Sequence, residues 1–134
     1  MPQLMPHVLL HSKVVMSRAA IILRDAGYIV TKLVDDDSAF RLAMSPHVDG
    51  VIVELPAFHA VAFTRRLLEI SRGDVSILAI SPTPEPIRRL VDVNVLHLAA
   101  IDDDLVSAVD IMIATRERCG SAFQNSRDAL PAGA

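Results

Sequence analysis

Short, mostly apolar runs alternate along this chain with stretches in which apolar residues recur every three or four positions. The short runs at 8–10, 28–34, 51–53, 75–80 and 93–98 read as strands, that at 28–34 being rich in β-branched residues. Ser12 can cap a helix over 14–26, with Ala19, Ile22, Leu23 and Ala26 on one face and Gly27 as its left-handed stop. Asp35, Asp36, Asp37 and Ser38 open a short helix over 39–44, which Pro46 ends. Pro56 and Ala57 lead into a helix to about Ser71, with Phe63, Leu67 and Ile70 toward a core, and Arg72-Gly73-Asp74 turns the chain. A proline-rich loop over 82–86 precedes a helical turn at 87–90. The last helix runs over 102–119 and Gly120 ends it, leaving 121–134 as a disordered tail after a domain of residues 1–120.

Five strand–helix repeats joined by short links imply an α/β domain with a parallel sheet covered on both faces. Right-handed crossovers favour a doubly wound (βα)5 sheet in the order 2-1-3-4-5. Sites in such sheets lie at the carboxyl ends of the strands, near the switch point between strands 1 and 3. That edge holds His11 and Ser12, Glu54, Ser81, and Ala99 with Ala100.

Composition narrows the classes. With 13 basic and 16 acidic residues the net charge is −3, and the pI is near 5.9. A nucleic-acid binder would show a basic stripe, and none is present; Arg65-Arg66 and Arg88-Arg89 read as solvated pairs. Aromatic residues are 4% of the chain, too few for base-stacking platforms. No apolar run reaches a membrane span, and Met1 to Pro6 lacks the basic start and apolar core of a secretion signal. One cysteine, Cys119, excludes an internal disulfide and suits a reducing cytoplasm. Near a helix C-terminus, its thiol is expected to be unreactive. Hydrophobic residues reach 51% and mean hydropathy is +0.40, which leaves apolar surface over for a partner.

The motif "VDGVIVELP" at 48–56 carries the main resemblance, with "LRDAGYIV" at 23–30 and "ILAIS" ending at Ser81. Over about residues 7–119 the chain resembles the receiver domain of bacterial response regulators, a flavodoxin-like fold. The resemblance implies that Glu54 stands at the phosphate-accepting aspartate and Ser81 at the phosphate-sensing hydroxyl. It also shows departures. The receiver's acidic pair, which helps bind Mg²⁺, is replaced by His11 and Ser12. Its lysine–proline pair is replaced by Ala99 and Ala100, with a register shift of one left open, and its switch aromatic by Leu96 or His97. One glutamate beside a histidine and a serine is a poor oxygen cage for Mg²⁺. Phosphoryl transfer also needs positive charge that this edge lacks. The expectation is a non-phosphorylatable pseudo-receiver with no catalytic residue, no metal and no cofactor, in which Glu54 bonds Ser81 or His11 or mimics a modified acceptor. Residues 48–112, from "VDGVIVELP" to "VSAVDIM", also resemble the amino-terminal wing domain of the PLP-dependent ornithine/lysine/arginine decarboxylases, which would make the chain an assembly module. A third reading is a small-molecule sensor using a carboxyl-edge cleft.

Other polar clusters read more plainly. His7, His11, His47, His59 and His97 show no zinc-like spacing, although His11 and His97 share the carboxyl edge. The triplets 35–37 and 102–104 read as helix caps and dipole partners. His11 and Ser12 lack the third group and the elbow of a nucleophile–base pair. In the last helix Leu105, Val109 and Met112 form a core stripe, while Val106, Ile111 and Ile113 lie off it. Those three predict an interface with a protein partner or a second copy, the surface by which receivers commonly dimerise. Nucleic acid and membrane are not expected partners.

Overall fold

The computed structural model describes residues 5–90 and 92–129, with side chains as far as residue 115. The strands are β1 (His7–Ser12), β2 (Ile29–Leu33), β3 (Gly50–Glu54), β4 (Ile77–Ser81) and β5 (Val93–His97). The helices are α1 (Arg18–Asp25), α2 (Asp36–Ala43), α3 (Ala57–Ser71), α4 (Glu85–Arg88) and α5 (Ile101–Ala129). All five strands pair in parallel in the order β2-β1-β3-β4-β5, as the alternation predicts. No helix among the described residues is long and apolar enough to cross a membrane.

The pleat divides the core in two. Val8, Leu10, Ile52, Leu78 and Ile80 face α1 and α5, where Leu23, Leu105, Val109 and Met112 cover them. Leu9, Val51, Val53, Ile77 and Ala79 face the other way, onto Phe63 and Leu67 of α3 and Ile87 of α4. Burial on both faces of β1, β3 and β4 is why their sequences show apolar runs rather than alternation.

Several local expectations shift. Helix α1 begins later than expected because Ser17, not Ser12, is its cap: the Ser17 hydroxyl accepts from the Ala20 N–H. Ala26 is therefore the exposed C-cap rather than a core residue, and Gly27 takes the left-handed φ of 98° that stops the helix. In α3 the buried stripe is Ala60, Phe63, Thr64, Leu67 and Ser71; Ile70, three positions after Leu67, lies at the edge of that stripe and is 44% exposed. Helix α5 runs through Gly120 to Ala129, so the expected stop there is absent. Glycine weakens a helix interior by only about 1 kcal/mol, which flanking helix formers can offset. Residues 130–134 of the expected tail, and the side chain of Cys119, lie outside the described residues.

Candidate functional site

Strands β1 and β3 end side by side, with Ser12 level with Glu54. Both residues follow the parity of Leu10 and Ile52, so both lean toward α1. There the Ser12 hydroxyl donates to Glu54 Oε1 at 2.7 Å, and the Ser17 hydroxyl donates to the same oxygen at 2.8 Å. Each hydroxyl also accepts a backbone N–H, from Val14 and Ala20 respectively. Ser12 and Ser17 are buried and Glu54 is half-buried. The carboxylate is thus clamped to the loop that starts α1, and the clamp occupies the lone pairs of one oxygen. Glu54 bonds neither Ser81 nor His11, which corrects the expectation. A Mg²⁺ ion does not fit this donor set: the place of a second acid is held by a hydroxyl aimed at the first.

His11 has the opposite parity and faces α2 and α3. Its ring is fully buried, edge-on to Phe63 with centroids 4.5 Å apart. Nδ1 lies 3.1 Å from the Leu33 carbonyl, which can only accept, so Nδ1 carries a proton. Nε2 lies 2.7 Å from Asp36 Oδ1. His59, in the first turn of α3, brings its Nε2 to 2.8 and 3.0 Å from the two Asp36 oxygens. Burial by itself would raise the Asp36 carboxyl pKa; the bonds from His11 and His59 outweigh it and hold the group below its ordinary range. Of the triplet 35–37, Asp35 caps α2 as expected, through Oδ2 and the Ser38 N–H. Asp36 instead turns inward to the two rings.

A cleft of about 420 Å³ opens beside this group, lined by Lys13, Val34, Asp35, Asp36, Asp37 and His59. It does not reach Glu54 or Ser81. Nothing in the spacing of the histidines pointed to the cluster. The one signal available was positional: His11, Asp36 and His59 sit at three successive strand-to-helix junctions on one sheet edge.

No protein-family model matches the sequence, and no curated protein matches it. Among solved structures, the chain is similar to the crystal structure of the signal receiver domain of an HD domain-containing protein from Pseudomonas fluorescens Pf-5. The TM-score is 0.70 at 18% identity, over 97% of both chains. The fold is that of a signal receiver domain.

Within the receiver fold the remaining edge residues lie apart. Ser81 is fully buried, but its hydroxyl accepts the Thr83 N–H in its own loop at 3.0 Å. Its parity is that of Ile77 and Ala79, on the sheet face away from Glu54. His97 lies level with Ser81 on the far strand, and its Nδ1 accepts the Ala99 N–H. It does not approach His11, from which β3 and β4 separate it. Ala99 and Ala100 fall in a 3-10 turn after β5 and bring no charge. On α5, Leu105, Val109 and Met112 are buried as expected. Of the three residues expected to form an interface, Val106 and Ile113 pack partly against the core, and Ile111 alone is 64% exposed.

Proposed function

We propose that this receiver fold serves signalling without an aspartyl-phosphate switch and acts through contact with a protein partner or a second copy of itself. The observation that carries the reading is the Glu54 clamp. The side chain at the acceptor position gives one oxygen to Ser12 and Ser17, and among the described residues no carboxylate or ammonium group bonds it to assist transfer. Incubation with acetyl phosphate and Mg²⁺, followed by intact-mass measurement, tests it. No phosphoryl adduct is expected, and an adduct mapped to Glu54 would overturn the reading.

Two surfaces support action by contact. Val15 and Met16, on the loop that leaves β1, and Phe58, in the first turn of α3 after β3, are 92%, 80% and 92% exposed. Exposed side chains of this size suit a docking partner. On the other side, Ile111 borders a groove of about 800 Å³ between α5 and the β4–β5 edge, which supports a homodimer through α5. Light scattering at high concentration should give a dimer that Ile111→Asp converts to monomer. A monomeric wild type leaves the loop surface as the contact. The single cysteine accords with a cytoplasmic setting. The assembly-module alternative shares this fold, and co-purification with a PLP-dependent decarboxylase chain would select it.

A further inference from the structure

Three potential metal ligands from three separate elements converge on one point. One ligand atom each from His11, Asp36 and His59 lies within 4.8 Å of the other two. We propose that His11 Nε2, His59 Nε2 and the Asp36 carboxylate bind one divalent transition-metal ion of the zinc class, with a fourth position open to the adjoining cleft. The site is separate from Glu54, on the opposite face of the sheet, and the inference stands whether or not Glu54 accepts phosphate.

The orientation of the rings carries the argument. The Leu33 carbonyl takes the Nδ1 proton of His11 and so fixes Nε2 as the atom facing Asp36. A backbone acceptor on the far nitrogen is the arrangement that orients metal-binding histidines. Both Nε2 atoms then lie under 3 Å from Asp36 Oδ1, a spacing that needs a positive centre between nitrogen and oxygen. Protons can fill that role, either with both nitrogens of the fully buried His11 ring protonated or with the proton carried by the Asp36 carboxyl. A metal ion can replace them. Two imidazoles and one carboxylate favour zinc, cobalt or nickel over magnesium or calcium, which prefer oxygen.

The surroundings suit that occupant. Phe63 and the ring of His59 pack edge-on against His11 and hold it in place. Around zinc, with bonds of about 2.0–2.1 Å, tetrahedral ligand atoms stand roughly 3.3 Å apart. The present contacts must open by about half an ångström. Asp36 and His59 can supply that movement, since each lies in a helical first turn and neither is fully buried. Two histidines and one carboxylate leave the ion with net positive charge, which Asp35 and Asp37 in the cleft wall offset and Lys13 opposes. The open fourth position matches zinc sites that keep a water or take an external ligand. Occupancy would join β1 to the starts of α2 and α3.

The test uses the full chain, stripped with a chelator and titrated calorimetrically with zinc chloride. One ion per chain is expected. Cobalt(II) should give the absorption bands of a four-coordinate site and be displaced by zinc. His59→Ala should weaken zinc binding by more than about 100-fold, whereas His47→Ala and His97→Ala should leave it unchanged. Asp36→Asn, nearly isosteric and partly exposed, should cause a loss of similar size and serves as the second variant if His59→Ala alters the fold. The proposal is overturned if the wild type takes up no zinc, if zinc binds equally well to both site variants, or if the two control histidines account for the binding.

Discussion

Ser17→Ala removes two bonds at once: the acceptor for the Ala20 N–H and one of the two donors to Glu54 Oε1. Loss of a serine N-cap costs about 1 kcal/mol. A hydrogen bond to a charged group contributes about 1.5–3 kcal/mol, and the lower end applies because Glu54 is half-buried and keeps the Ser12 donor. The expected loss is therefore about 2.5 kcal/mol, or roughly 8 °C in Tm for a chain of this length. Ser17→Gly separates the two contributions. Glycine caps within a few tenths of a kcal/mol of serine, so only the loss of the Glu54 bond remains, about 1.5–2 kcal/mol. Urea unfolding followed by circular dichroism measures both variants, with an unchanged m-value as the check on two-state behaviour. If both variants lose less than about 0.5 kcal/mol, the range of ordinary surface changes, the clamp contributes nothing and the argument from Glu54 fails. Equal losses for alanine and glycine would refute the capping role.

Phe63→Ala should cost about 3–5 kcal/mol in the same assay, because the ring fills the space between His11 and Phe40. Ile70→Ala, on the exposed side of α3, should cost under about 0.5 kcal/mol; a large loss would mean that the buried face has been misassigned. The Thr64 hydroxyl is buried with no hydrogen-bond partner among the described residues, so Thr64→Val should be neutral or stabilising by up to about 1 kcal/mol. A clear destabilisation would reveal a partner for that oxygen. At Gly50 an added Cβ would stand 2.6 Å from Met112 Cε, so Gly50→Ala should cost about 1–2 kcal/mol while the flexible methionine shifts. Combined with Met112→Ala, which removes the obstructing atom, the glycine substitution should add almost nothing, and simple additivity in thermal melts would refute the contact.

By itself the sequence determined the architecture. Central runs such as Val51-Ile52-Val53 are buried on both faces, which calls for a covered parallel sheet, and the intervening 3–4 spacing supplies the helices that cover it. The strand parity that sends His11 toward α3 and Ser12 toward α1 was also present in the order of residues, although the resemblance grouped both with Ser81 as one pocket. Only the tertiary structure decided which side chains meet. Ser17 reaches Glu54 across 37 positions, and Asp36 joins His11 and His59 across 25 and 23. Those contacts depend on how far each helix start swings over the sheet edge. That swing is set by packing against Phe63, Leu23 and their neighbours on the two faces, and no local spacing along the chain encodes it.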